Sequence, residues 1–212
     1  MVIAVDGPSG VGKSTVSRLV AKNLGLAFLD TGATYRAATL AILEAGVDPS
    51  DGSEVLSELS SHSIDYDERG VLLDGRSVAF DVRSDAVTGA VSAVSAHPSV
   101  RAEVVDMQRR WVEYHDGRAV VEGRDIGTIV FPDAQVKIYL TASPMVRATR
   151  RASDSEAGGK SVDEIADALA QRDHADSTRE ASPLRPADDA VIIDTGAMTI
   201  EEVVARITSL AT

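Results

Sequence analysis

The sequence predicts an α/β fold in which a parallel sheet is sandwiched between helices. Five short runs are apolar nearly throughout: Val2–Val5, Leu26–Leu29, Ala119–Val121, Val136–Leu140 and Ala190–Ile193. Strands covered on both faces read this way, whereas half-exposed strands alternate. The stretches between them carry helical periodicity, and strands alternating with helices pair in parallel.

Each helix has its own signals. Val16, Leu19, Val20 and Leu24 share one stripe of a helix over Ser14–Leu24, which Gly25 stops. A second helix, Ala33–Ala45, ends in the same way at Gly46. Ser161 and Glu164 have capping-box spacing before Ile165, Ala168 and Leu169, and Thr199 and Glu202 repeat it before Val203, Val204 and Ile207. Two regions break the alternation. From about Asp48 to Pro98 the chain is polar and mixed, with a hairpin expected over Gly70–Val78 around Asp74-Gly75. Ser153–Lys160 is small, polar and Gly-rich, and is expected to be mobile.

The chain has 212 residues, enough for one sizeable core. Only 4% of it is aromatic, so that core is built from Val, Ala, Leu and Ile. A net charge of −12 makes the chain a poor general binder of nucleic-acid polymers or anionic membranes, because its far field repels both. Any anionic ligand therefore requires positive charge gathered locally. There is no Cys, which excludes disulfides and Cys-based zinc sites. The apolar start lacks the form of a signal peptide, and no uninterrupted apolar run approaches ~18 residues, so a cytoplasmic protein is expected.

Gly7-Pro8-Ser9-Gly10-Val11-Gly12-Lys13-Ser14 fits G-x-x-x-x-G-K-[ST] at every fixed position. Glycines let the backbone turn tightly and aim its N–H groups at phosphate oxygens, and the helix that follows adds favourable potential for anions. Lys13 is placed to reach the β and γ phosphates of ATP, and Ser14 to offer a hydroxyl to Mg²⁺, with Thr15 beside it.

This motif says nucleotide and leaves the reaction open. Arginines narrow it, because a phosphorylated acceptor beside the ATP tail requires several cations in one dry pocket. Arg147, Arg150 and Arg151 are spaced to share a helix face after Pro144, and Arg172, Asp176 and Arg179 to share another. Two such faces flanking a Gly-Gly segment read as a lid. Asp30-Thr31-Gly32-Ala33-Thr34-Tyr35-Arg36 and Glu122-Gly123-Arg124-Asp125-Ile126-Gly127 follow the second and third strands, at the strand ends where open α/β sheets bind ligands. Asp30, Thr31 and Asp125 could equally serve as helix caps.

These segments, together with Gly123–Ala134 and Gln171–Arg179, resemble the cytidylate kinases, bacterial nucleoside monophosphate kinases specific for CMP and dCMP. The resemblance runs from Ile3 to about Asp194. It implies a P-loop three-layer sandwich with a five-stranded parallel sheet, a small antiparallel insert in the NMP-binding domain and a short lid. The chain then divides into a core (1–31, 89–145 and 180–212), an NMP-binding region with its insert (32–88) and a lid (146–179). By the same resemblance Ser92, Arg101 and Asp125 read the cytosine ring. Arg172 and Asp176 hold the ribose, with Tyr35 and Thr31 nearby. Arg36, Arg124 and Arg179 grip the acceptor phosphate, and Arg147, Arg150 and Arg151 stabilise the transferring group. The family also implies ATP with Mg²⁺, CMP and dCMP as partners, and a monomer.

The base contacts have a physical sense of their own. A carboxylate accepts from the cytosine amino group, but would meet a carbonyl on uracil, which predicts CMP over UMP. The rival readings are another P-loop kinase of a small metabolite or nucleotide, and a non-catalytic ATP-binding switch module.

Overall fold

A computed structural model describes residues 1–153 and 161–212. The chain divides into two compact units, Met1–Leu29 with His115–Thr212, and Asp30–Tyr114. The range 89–145, expected to belong to the core, is split by this division, with 89–114 in the second unit.

In the first unit, strand β1 (Val2–Asp6) leads through a Gly-rich loop into helix α1 (Lys13–Leu24) and strand β2 (Ala27–Asp30). The chain re-enters with β6 (Ala119–Gly123), then β7 (Val136–Thr141), α6 (Pro144–Ala152), α7 (Val162–Thr178), β8 (Val191–Asp194) and α8 (Ile200–Ala211). All five expected strands form. They make one all-parallel sheet in the order β2-β6-β1-β7-β8. In the β1–β6 register Asp6 lies opposite Gly123, and in the β1–β7 register it lies opposite Tyr139. The carboxyl ends of β1 and β6 are therefore level, and β7 runs two residues further, to Thr141.

Ile3, Val5, Val20, Ile138, Leu140, Val203 and Ile207 are buried together between α1, α8 and the sheet. This is the aliphatic core that a sequence poor in aromatics requires. Both capping boxes close: the Ser161 and Thr199 side chains accept from the Glu164 and Glu202 N–H groups, and each glutamate accepts in return. The segment 154–160, where mobility was expected, lies outside the described residues.

The second unit holds α2 (Thr31–Glu44), α3 (Gly52–Leu59), strands β3 (Ile64–Asp67), β4 (Gly70–Leu73) and β5 (Arg76–Ser77), then α4 (Asp85–Ala96) and α5 (Pro98–Tyr114). The expected hairpin is β4–β5. Asp74 (φ 51) and Gly75 (φ 76) form its turn, with both residues in the left-handed region that Asp-Gly tolerates. β3 was not legible in the sequence. It pairs antiparallel with β4 and makes the insert three-stranded, burying Ile64 and Tyr66 while Asp65 faces out. The polar, mixed stretch is thus ordered as capped helices and a small sheet. The Asp51 side chain caps α3 by accepting from the Ser53 and Glu54 N–H groups. Trp111 Nε1 donates to the Tyr66 carbonyl at 2.7 Å, joining α5 to β3.

Candidate active site

The loop between β1 and α1 is shaped by close contacts. A Cβ at Gly7 would lie 2.2 Å from the Leu140 carbonyl oxygen, so no side chain fits there. A Cβ at Gly10 (φ +81) would lie 3.1 Å from the Arg147 Cβ, because α6 is seated directly on the loop. Gly12 precedes α1 and offers no side-chain cap, and no acidic residue stands in the first turn of the helix. Its first N–H groups are left to an external acceptor, which suits an anion.

Lys13 is 8% exposed, and its Nζ donates to the carbonyls of Gly7 at 2.9 Å and Pro8 at 2.8 Å. Burial, followed by the nearby Arg124 guanidinium, pushes its ammonium down to about 7. A bound polyphosphate would reverse that by supplying negative charge beside it. The exposed Ser14 hydroxyl donates to Glu122 Oε1 at 2.5 Å. The sequence reading quoted Glu122 within its segment and gave it no role of its own, yet a carboxylate ending an apolar strand was a visible signal. A hydroxyl and a carboxylate on one spot are hard oxygen donors of the kind Mg²⁺ takes beside phosphates, so these residues fit the ion.

Asp6 is 4% exposed and accepts the N–H groups of Ile126 at 2.8 Å and Gly127 at 2.7 Å. Burial outweighs these bonds and pushes its carboxyl up to about 6. The residues just before that loop carry the next contacts. Arg124 donates from Nε to Asp176 at 2.8 Å, from one terminal nitrogen to the Gly7 carbonyl at 3.1 Å, and from the other to Ser9 Oγ at 2.6 Å. Asp125 is buried and makes no capping bond, which removes the cap reading for it. Arg179 lies 3.8 Å from Asp125 and 3.8 Å from Asp176.

Arg147 donates to the Ser9 carbonyl at 3.2 Å and to Asp173, a residue the sequence reading did not single out. Arg150 turns to a different partner, donating to Thr195 Oγ1 at 2.9 Å and to the Thr195 carbonyl at 2.7 Å. Thr195 Oγ1 lies 3.2 Å from the Val11 carbonyl, so Arg150 is joined to the loop through one hydroxyl. Arg151 is half-buried, and Arg172 acts on Lys13 through its charge. One expected geometry needs correcting. Arg179 does not complete a helix face with Arg172 and Asp176, because α7 ends at Thr178 and Arg179 is extended (φ −62, ψ 142).

In the second unit Asp30, not Thr31, caps α2, accepting the Ala33 N–H at 3.0 Å. Thr31 is buried as the first helical residue. The Arg101 guanidinium carbon lies 5.1 Å from the Tyr35 ring centroid, and Arg101 donates to the Ser95 carbonyl at 3.3 Å. Ser92 is exposed on α4. Arg36 is half-buried, and donates to the Val82 carbonyl and Thr88 Oγ1, each at 3.0 Å. Neutral partners within its own unit therefore take part in holding it.

A cradle backbone that one buried guanidinium group, one half-buried one and an ammonium address directly is the geometry of phosphoryl transfer. The cytidylate kinase family model matches residues 3–212. The chain belongs to the cytidylate kinase family.

Similar cytidylate kinases include that of Rhodococcus opacus (strain B4), 53% identical over 98% of this chain and 93% of the relative. That of Mycobacterium leprae (strain Br4923) is 49% identical over 99% of this chain and 95% of the relative. Among solved structures, shikimate kinase from Bacteroides thetaiotaomicron has a TM-score of 0.52 at 15% identity, covering 100% of this chain and 98% of that one. The protein TT1252 from Thermus thermophilus has a TM-score of 0.53 at 20% identity, covering 100% and 96%. These two likenesses concern the fold alone. The chain is thus a nucleoside monophosphate kinase, a transferase, and the switch-module alternative is not favoured. Among the described residues no helix is long and apolar enough to cross a membrane.

Proposed function

We propose that the chain transfers the γ-phosphoryl group of ATP to CMP and dCMP, acting as a cytoplasmic monomer. The observation that carries the chemistry is the convergence of Lys13, Arg124 and Arg147 on the backbone and side chain of Gly7, Pro8 and Ser9. Gly7–Thr15 cradle the ATP phosphates, and the N-terminal N–H groups of α1 add donors.

An oxygen of the acceptor phosphate bonds to the γ-phosphorus as the bond to the β–γ bridging oxygen breaks, and ADP leaves. That phosphate is already ionised near neutral pH, so the acceptor needs no protein base to activate it. Lys13, Arg124, Arg147, Arg150, Arg151 and Arg179 neutralise the charge that spreads over the equatorial oxygens. Ser14, with Glu122 as its carboxylate partner, would hold Mg²⁺, which supplies further neutralisation between the phosphates. A lid over 146–179, built on α6 and α7, excludes water from the transfer.

Ser92, Arg101 and Asp125 read the base. Arg172 and Asp176, with Thr31 and Tyr35, take the ribose, and Arg36, Arg124 and Arg179 take the acceptor phosphate. The base preference follows from Asp125, whose carboxylate matches the cytosine amino group and opposes the uracil carbonyl. The test is ADP release from ATP with CMP, dCMP, UMP, AMP, dTMP or shikimate as acceptor. Turnover with CMP and dCMP far above the rest is expected. Preference for any other acceptor, or no ADP release with any, overturns the assignment.

A further inference from the structure

Asp173 has no part in the functional reading above, yet it sits against the cradle. Its Oδ1 accepts the Ser9 N–H at 3.3 Å, and its Oδ2 accepts from Arg147. An N–H of the Gly-rich loop and a guanidinium are the pair of donors that a phosphate group would take. The Arg147 and Asp173 side chains are 9% and 19% exposed, so solvent screens this pair weakly. One helical turn on, Asp176 holds Arg124 at 2.8 Å, and Arg124 also binds Ser9 Oγ. α7 thus brings two carboxylates to two arginines around a single loop residue.

We infer that the Asp173 carboxylate stands in for a nucleotide phosphate at the cradle, competing with ATP for the Ser9 N–H and the Arg147 guanidinium. The inference rests on reading Gly7–Ser14 as the ATP cradle. An incoming triphosphate and this carboxylate carry charge of the same sign and seek the same donors, so binding one weakens the other. Arg147 does not depend on Asp173 for its place. α6 contacts the loop at Gly10, where the absence of a Cβ admits the Arg147 backbone, and Arg147 keeps its bond to the Ser9 carbonyl. Neutralising Asp173 therefore leaves Arg147 beside the loop with its charge available to phosphate.

A residue that merely anchored Arg147 would weaken nucleotide binding when lost, whereas a competitor strengthens it. The Kd of Mg-ATP for the full chain, by calorimetric titration at fixed salt, separates the two. Asp173→Asn is expected to lower Kd about fivefold or more, and the KM for ATP with it, while the KM for CMP stays within about twofold. In an Arg147→Ala background the same substitution is expected to gain less than about twofold, since one contested donor is gone. Asp189→Asn removes an exposed carboxylate paired with Lys137, and tests whether net charge alone explains the change. An equal gain there overturns the inference. Should Asp173→Asn fail to fold, Asp173→Ser makes the same test with a smaller neutral side chain. Unchanged or weaker ATP binding in a folded Asp173 variant also overturns it. Lys13→Ala measured alongside separates the two readings: unaltered ATP binding there removes the cradle assignment, and this inference with it. Weakened binding there without tightening in Asp173→Asn removes this inference alone.

Discussion

Asp6 accepts the backbone N–H of Gly127 at 2.7 Å, tying the last residue of β1 to the loop that follows Arg124 and Asp125. The other carboxylate oxygen takes the Ile126 N–H, so one side chain that directly precedes the cradle fixes the neighbouring strand end in two places. In Asp6→Asn an amide N–H₂ must face one of those donors. The expected result is a fall in kcat/KM for CMP of about tenfold, as the loop shifts. Steady-state kinetics on the folded variant check it, and wild-type kinetics would detach Asp6 from positioning.

The same residue gives a pH signature. Its folded value is raised from 3.8 to about 6. Between those values the folded chain binds more protons at Asp6 than the unfolded chain does. Its contribution to stability is therefore fullest below the unfolded value and declines as pH rises through the folded one. Asn lacks this slope. Urea unfolding from pH 4 to 7 should show the stability of Asp6→Asn, relative to wild type, rising with pH across that window and level above it.

Asp125 is 4% exposed on β6's outgoing loop, where a mismatched partner finds little water. Asp125→Ala is expected to narrow the CMP:UMP ratio of kcat/KM. A buried acceptor-to-acceptor mismatch costs about 1–3 kcal/mol, so the ratio should fall by roughly 5- to 150-fold. An unchanged ratio would take Asp125 out of base reading.

Glu122 lies 2.5 Å from the Ser14 hydroxyl. Glu122→Gln removes the charge while keeping the shape, and is expected to raise the Mg²⁺ concentration for half-maximal rate by about tenfold. Titrating activity with Mg²⁺ at saturating ATP and CMP measures it. A curve that superimposes on wild type would leave Glu122 a purely structural partner of Ser14.

Gly10→Ala adds a Cβ where φ is +81 and the Arg147 Cβ is 3.1 Å away. Backbone strain at such a position costs on the order of 1–3 kcal/mol, and α6 must also shift. Thermal unfolding should show a lower midpoint, and turnover should fall through displacement of Arg147. Wild-type values for both would mean that the loop accommodates a methyl group there.

The sequence by itself determined the sheet, its flanking helices and the cradle. Apolar runs covered on both faces have one economical arrangement, and a phosphate loop is specified by contiguous residues whose conformational demands are local. The hairpin at Asp74-Gly75 and both capping boxes were legible for the same reason. The tertiary structure alone decided which charges meet. Ser9 and Asp173 are 164 residues apart, Arg124 and Asp176 are 52, and Ser14 and Glu122 are 108, so no local spacing announces these partners. It also moved Arg179 off the helix face and gave β3 to the insert, because helix termination and strand pairing depend on neighbours that lie far along the chain or outside the helix itself.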